Sequence, residues 1–405
     1  MPHKIPCLEC KKEVEDFLAG HLMEAHGVSL TEYLTEHPGA ATVSQRLLDT
    51  HRATKRPGPK HPVSASDLSV AMGPISFPVN VGVPATACLP MPAHYRIPDH
   101  GLLGEDVSQA LVALRFRRSL YIHGLPGSGK DALLHAFSAM TRTPGLIRQV
   151  RPGADVEGWF FARGFTESGT CWEEGEVLKA LRDGYLCSNG KRIPYLILFT
   201  DFDRADREQA ESVRLITDSI QGRVDGPGGR TAPVLPGTII TGTGNTSGGG
   251  DERGRMVSAN LLDASLMDRW ERVLQFHWME WVDEEPVLKS KFPLLAQAYG
   301  QPLWDKFKQI TKVLREAIYD DKLAGEFSHR ALCAILGHAT DILLLSGGKP
   351  PNDLFKKAVR VWIDKLPDRE NRENAIHMMD PHLGLLAVGD ISHIVRSQPL
   401  VPGVA

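Results

Sequence analysis

The sequence lacks any apolar run approaching the ~18 residues that a membrane-spanning helix requires, and no secretory leader pattern precedes its first motif. The expectation is a soluble, cytoplasmic protein with no membrane partner. Cysteine is scarce, with six among 405 residues, at positions 7, 10, 88, 171, 187 and 333. Two lie close together and four are scattered, which argues against a disulfide framework and for a reducing compartment. Net charge is scarce too: 46 Lys and Arg stand against 49 Asp and Glu, a balance of −3. That excludes a chain that grips polyanions over its whole surface, so any nucleic-acid role must be local to residues 1 to 62. There is no internal repeat and no long low-complexity tract. What is present is 42% hydrophobic residues, enough for a sizeable core, in a length that suggests two to three domains.

The most informative stretch is YIHGLPGSGKDALLHAF. An apolar run, Leu120, Tyr121 and Ile122, leads into Gly124, Leu125, Pro126, Gly127, Ser128, Gly129 and Lys130. Apolar positions 133, 134, 137 and 140 then repeat at helical spacing. Strand, Gly-rich loop and helix are the context in which backbone N–H groups turn inward around phosphate oxygens. The helix N-terminus adds its positive end, and Lys130 brings a point charge for the β and γ phosphates of ATP. The cofactor-binding residues are therefore Gly124, Pro126, Gly127, Ser128, Gly129, Lys130 and Asp131.

Asp131 stands where a Ser or Thr hydroxyl usually holds Mg²⁺. A carboxylate beside a triphosphate is repelled unless a cation sits between them. The next apolar strand, Tyr195 to Phe199, ends in Thr200-Asp201-Phe202-Asp203-Arg204-Ala205, where the usual order is Asp, Glu, apolar, Asp, Arg, Ala. Hydroxyl and carboxylate have exchanged places: Asp131 is expected to ligate or support Mg²⁺, with Thr200 hydrogen-bonding there. Asp201 takes the position that polarises water, one methylene shorter than Glu. Turnover is expected to be slow, and a site that binds nucleotide and barely hydrolyses it remains an alternative.

The stretch TIITGTGNTSGGGDERGRMVSANLLDASLMDRW carries an apolar strand ending near Asn245, a Gly-rich loop and Asp268-Arg269-Trp270. Together with the phosphate loop it resembles the MoxR branch of the AAA+ ATPases, and most of all the ATPase subunit of cobalt chelatase (CobS). The resemblance covers roughly residues 75 to 340, with the motifs in order, and departs from the family at Asp131, Thr200 and Asp201. It implies that Asn245 orients the attacking water as sensor 1, and that Arg269 is an arginine finger reaching a neighbour's γ-phosphate. Phe327-Ser328-His329-Arg330 resembles the sensor 2 site, which makes Arg330 the lid arginine. Trp172 through Leu178 resembles the family's Trp-x-x-Gly-x-Leu helix. Arg269 has a plainer reading as a partner of Asp263 or Asp268, and Arg330 as part of a solvated helix turn. Arg253 and Arg255, in a Gly-flanked basic loop, carry a weaker signal. Trp159 and Phe160, in a Gly-flanked aromatic cluster, fit either a packed core or a loop facing a ring's pore. The family forms homo-oligomeric rings, with a hexamer expected here, and remodels partners that often carry a von Willebrand A domain.

Near the N-terminus stands Cys7-x₂-Cys10-x₁₀-His21-x₄-His26. Two thiols on a turn and two imidazoles on a following helix match the tetrahedral demand of structural Zn²⁺. The segment also resembles the zinc finger of Ros and MucR regulators, through His21, Leu22, His26, Gly27, Ser29 and Glu32-Tyr33. About fifty residues bury little core, so metal would supply much of the folding free energy. DNA and protein both remain open as the finger's target. The basic, Pro-rich stretch from His51 to Pro62 reads as a semi-rigid tether, with phosphate contact as the alternative.

The expected fold is α/β: a P-loop AAA+ core, a parallel sheet with helices on both faces, plus a small helical lid and the finger. The expected boundaries are 1–50 for the finger, 51–67 for the linker, 68–282 for the nucleotide-binding domain, 283–365 for the lid and 366–405 for a tail without signal. Two functions follow. One is an ATP-hydrolysing ring that remodels a partner protein and is recruited by the finger. The other is a DNA-binding, nucleotide-gated ring or scaffold with weak hydrolysis.

Overall fold

The computed structural model describes residues 4–15, positions 21, 22, 25, 26, 28, 33, 36, 37 and 40, and residues 68–383 apart from 167–168, 218–221, 227–228, 251–258 and 350. The linker 51–67, Arg253, Arg255 and everything beyond 383 therefore lie outside the described residues. The chain divides into two compact units, Met1–Asp67 and Leu68–Ala405.

In the first unit β1 (Lys4–Pro6) and β2 (Glu13–Glu15) pair antiparallel. Between them Cys7 N–H donates to Lys12 O and Lys11 N–H to Cys7 O, turning the chain tightly. Lys11 takes the left-handed conformation this needs (φ 60°). Residues 21, 22, 25 and 26 are helical. The buried apolar side chains among the described residues of this unit are Cys7, Leu22 and Tyr33.

The second unit opens with the hairpin of β3 (Ser69–Met72) and β4 (Ile75–Pro78), followed by α1 (Gly101–Arg115), β5 (Leu120–Gly124), α2 (Lys130–Thr141) and β6 (Gly145–Gln149). Next come the hairpin of β7 (Phe161–Thr166) and β8 (Gly169–Glu174), α3 (Glu176–Asp183), and a short pair, β9 (Tyr185–Leu186) and β10 (Arg192–Ile193). Then follow β11 (Leu196–Thr200), α4 (Arg207–Thr217) and the hairpin of β12 (Arg223–Gly226) and β13 (Arg230–Pro233). The core closes with β14 (Ile239–Thr243), α5 (Ala264–Met267) and β15 (Arg272–Phe276).

Five of these strands form one parallel sheet in the order β15-β5-β14-β11-β6. The middle strands β11 and β14 are buried along their whole length, as expected of parallel strands covered on both faces. Alternation along them divides the core. Ile197, Phe199, Tyr121 and Ile240 face one side with Val177, Leu178 and Leu181 of α3 and Val213 of α4. Leu196, Leu198, Leu120, Ile122 and Ile239 face the other with Leu103, Val107 and Leu111 of α1 and Leu133 and Phe137 of α2. This arrangement puts the carboxyl ends of β5, β11 and β14, and of the edge strand β6, on one rim, where α/β sheets bind ligands.

A helical subdomain follows: α6 (Trp281–Lys291), α7 (Pro293–Tyr299), α8 (Gln301–Tyr319), α9 (His329–Leu345), α10 (Leu354–Ala358), α11 (Arg360–Ile363) and α12 (Arg369–Leu383). Helix α8 buries Leu303, Trp304, Phe307, Ile310, Leu314 and Ile318, an i, i+3, i+4 stripe. Its core also takes in Ala375 and Met379 of α12. The boundary expected at 365/366 thus cuts through a packed unit, and the stretch read as a tail contributes a helix. The sparse apolar pattern of α12, with two buried residues in fifteen, explains why it was not legible.

Trp159 and Phe160 fall on the core side of their two readings. Phe160 is buried, and Trp159 stacks on Phe199 with ring centroids 6.0 Å apart.

One ion pair ties the subdomain together. Glu284 of α6 is fully buried, and Arg315 of α8 lies 2.9 Å from its carboxylate. The same guanidinium donates to Phe327 O and Met279 O and sits over the Trp278 ring at 5.3 Å. Removing one member of a buried pair strands the other charge, at about 3–5 kcal/mol. Arg315→Ala is expected to lower unfolding free energy by about 3 kcal/mol in a urea titration. A loss under about 1 kcal/mol would mean that His329, the other cation on Glu284, suffices alone.

Candidate nucleotide site

The phosphate loop leaves β5 through glycines that no other residue could replace. A Cβ on Gly124 (φ 142°) would lie 2.1 Å from Phe276 O of the neighbouring strand β15. A Cβ on Gly127 (φ 75°) would lie 2.7 Å from Cβ of Ser328, at the start of α9. The second contact shows that the helical subdomain packs directly onto the loop. It brings Arg330, from far along the chain, beside Gly127 (3.7 Å from the same virtual Cβ to Arg330 Cγ).

Lys130 begins α2 and is buried. Its Nζ donates to Gly124 O at 2.7 Å and Leu125 O at 3.1 Å, and stands 3.5 Å from Ser128 Oγ and from Asn245 Oδ1. The ammonium therefore rests on the loop's own carbonyls, where a phosphate can draw it away. Burial pulls its pKa down to about 8, against the opposing pull of Asp131 and Asp203.

Asp131, in the first turn of α2, accepts a 2.6 Å hydrogen bond at Oδ1 from Thr243 Oγ1. The hydroxyl that meets this carboxylate is thus Thr243, at the end of β14, which the sequence reading did not single out. Thr200 ends β11 nearly buried, and its carbonyl accepts from Val150 N–H at 2.9 Å.

Asp201 follows in the left-handed region (φ 54°, ψ 36°), unusual for a residue with a Cβ. Its Oδ2 accepts from Gln149 Nε2 at 2.8 Å, across from the end of β6. Two residues on, Asp203 is buried and accepts at Oδ2 from Asn245 N–H (2.8 Å) and Thr246 N–H (3.1 Å). This carboxylate fixes the turn that carries Asn245. Sequence reading used Asp203 only to align the motif and missed that role.

Trp270 anchors the Asp268-Arg269-Trp270 turn. It is buried, 5.8 Å from the rings of both Tyr121 and Phe202, so the turn is locked onto the strand that bears the phosphate loop. Arg269 beside it is partly exposed. A cleft of about 1010 Å³ opens on the Leu125 side of the loop, lined among others by His123, Asn245, His277, Trp278, Arg315 and Tyr319. Burial, with Lys130 and His277 close by, drives His123 down to about 4, so its imidazole is neutral at pH 7.

In the N-terminal unit Cys7, Cys10, His21 and His26 offer four ligand atoms within 4.8 Å of one another. Cys7 Sγ stands 3.6 Å from His26 Nε2, and Cys10 Sγ 3.2 Å from His21 Nε2. Bond lengths of ~2.3 Å to sulfur and ~2.0–2.1 Å to nitrogen give a tetrahedral S–N edge of about 3.6 Å. Tyr33 Oη braces the turn by accepting from Leu8 N–H at 2.9 Å.

Strand order, phosphate loop and helical subdomain define an α/β P-loop protein with the AAA+ fold. Among solved structures the chain is similar to RuvB of Thermotoga maritima, described as a Holliday junction branch migration motor, at 15% identity over 64% of this chain and 68% of that one, with a TM-score of 0.37. It is also similar to a point mutant of the same RuvB, at 16% identity over 68% and 74%, with a TM-score of 0.40. NtrX from Brucella abortus stands at 16% identity over 68% and 59%, also at 0.40. At these values the likeness adds nothing to the fold that the strand order already defines. No family model matches the chain, and no curated protein does.

Proposed function

We propose that the chain is a Mg²⁺-dependent AAA+ ATPase of the MoxR and CobS type, working as a homo-oligomeric ring. The observation that carries this reading is convergence. Lys130, Asp131, Asn245 and Arg330, scattered over 200 residues, meet around one phosphate loop. In this reading Gly124, Pro126, Gly127, Ser128 and Gly129 wrap the phosphates and Lys130 moves from the loop carbonyls onto them. Asp131 and Thr200 hold the metal. They supply hard oxygen donors, which suit Mg²⁺, and Thr243 orients the carboxylate. When bound, the ion neutralises charge on the β and γ phosphate oxygens. Asp201, steadied by Gln149, polarises the attacking water, and Asn245 helps to orient it. Arg330 reaches the phosphates from the helical subdomain, and Arg269 completes a neighbour's site. Cys7, Cys10, His21 and His26 bind Zn²⁺ and build a recruitment module. The client is a partner protein, in the family often one with a von Willebrand A domain.

The altered metal site supplies the test. Asp131→Thr alone removes the site's loop carboxylate and is expected to cut steady-state ATP hydrolysis by about 100-fold or more. Adding Thr200→Asp restores the usual distribution and should recover at least about a tenth of wild-type turnover. A double variant no better than the single one would refute the exchanged-ligand reading.

A further inference from the structure

The helical subdomain holds a second cluster of reactive groups, which the nucleotide site does not use. His329 and Cys333 lie one turn apart on the same face of α9, and Glu284 and Lys291 project from α6. His329 Nδ1 is 3.0 Å from Oε1 of the fully buried Glu284, and its Nε2 is 3.3 Å from Cys333 Sγ. Lys291 Nζ donates to the same sulfur at 3.3 Å. Carboxylate, imidazole and thiol thus stand in the order that activates a nucleophile, with an ammonium on the sulfur's other side. Arg315 from α8 closes the cluster on Glu284.

The electrostatics agree with the geometry. Burial would depress His329, but its bonds to Cys333 and Glu284 overcome that and raise it to about 9. Burial would raise Cys333, but His329 first, and then Lys291, bring it below its ordinary value. Cys333 is half-buried. The ionisable groups facing it among the described residues are His329 on its own helix and Lys291 on α6, with Glu284 and Arg315 behind the imidazole.

We propose that Cys333 is a thiolate modification site that takes small anionic disulfides by thiol–disulfide exchange. The Cys333 thiolate attacks one sulfur of the disulfide, a new S–S bond forms to Cys333, and the old S–S bond breaks. The other half leaves as a thiolate and takes a proton from water. Cys333 is thereby oxidised to the mixed disulfide, and the departing half is reduced to a thiol. The imidazolium and the ammonium favour both the attacking thiolate and a disulfide bearing carboxylates. Modification removes one of the two anions that hold the His329 proton. His329 lies between Ser328, packed on Gly127, and Arg330, so the first turn of α9 links this site to the phosphate loop.

The experiment treats the full chain with oxidised glutathione from pH 5.5 to 9.5 and maps adducts by peptide mass. Cys333 is expected to react ahead of Cys171, a partly exposed reference. Its rate should rise to half-maximum below the ~8.5 of a free thiol. Lys291→Ala, on the exposed end of α6, should slow the pH 7 reaction by about threefold or more, with Lys291→Arg restoring it. His329→Gln should slow it about tenfold if that variant keeps its melting transition. A Cys333 profile centred at or above ~8.5, labelling no faster than Cys171, or indifference to Lys291→Ala would overturn the proposal.

Discussion

Lys130→Ala is expected to weaken ATP binding by at least about 100-fold and to bring hydrolysis below detection. The ammonium is the loop's one buried cation among the described residues, and its present partners are the carbonyls of Gly124 and Leu125. Those oxygens would repel phosphate if the lysine did not stand between them. A hydrogen bond to a charged group contributes about 1.5–3 kcal/mol, and each 1.4 kcal/mol is about tenfold in affinity. Two such contacts to β and γ oxygens therefore account for a loss of about 10²–10⁴. The loop itself should survive, because Gly124 and Gly127 set its course against Phe276 and Ser328. Titration with a fluorescent ATP analogue reads the loss, and a thermal melt checks the fold. Binding within about threefold of wild type would mean that nucleotide sits elsewhere.

Removing metal from the N-terminal unit should unfold that unit and leave the other intact. Among its described residues the buried apolar side chains are Cys7, Leu22 and Tyr33, and a unit of about fifty residues buries little core of its own. Structural zinc contributes about 10–16 kcal/mol of apparent binding free energy in small fingers. Two S–N pairs already stand near the tetrahedral-edge distance, at 3.6 and 3.2 Å, and all four ligand atoms lie within 4.8 Å of one another. The purified chain is expected to carry about one zinc, and Cys7→Ser with Cys10→Ser about none. In the double variant, or after chelation, amide resonances from residues 4–40 should collapse to random-coil positions while nucleotide binding is unchanged. Because the chain forms two separate compact units, loss of ATP binding on chelation would contradict this picture. So would an N-terminal unit that stays folded without metal.

The parts of the site that one local segment encodes were legible in the sequence. The phosphate loop announces itself through Gly124, Gly127, Gly129 and Lys130 between an apolar strand and a helix, and the grouping of Cys7, Cys10, His21 and His26 through its spacing. Contacts set by strand order were not. Asp131 meets Thr243 because β14 lies beside β5, and Gln149 meets Asp201 because β6 lies beside β11. Nothing in the local pattern around Thr243 or Gln149 marks either. Asp203 was visible as a motif letter, but its grip on the Asn245 turn depends on a fold that spans 42 positions. The Glu284, Arg315 and His329 cluster was hidden for another reason: charged residues on amphipathic helices usually face water, and these face inward. Trp159 and Phe160 were ambiguous because flanking glycines suit a packed turn as well as an exposed loop.

In the proposed ring, one subunit begins the nucleotide site and its neighbour completes it. The most direct measurement is ATP hydrolysis by a mixture of two variants, Lys130→Ala and Arg269→Ala. The first lacks a working site but keeps the arginine; the second keeps the site but lacks the arginine. Each should be inactive alone, and an equimolar mixture assembled at random into rings should recover about a quarter of wild-type activity, since about one interface in four pairs an intact site with an intact arginine. A mixture as inactive as its components, or full activity from Arg269→Ala alone, would contradict it.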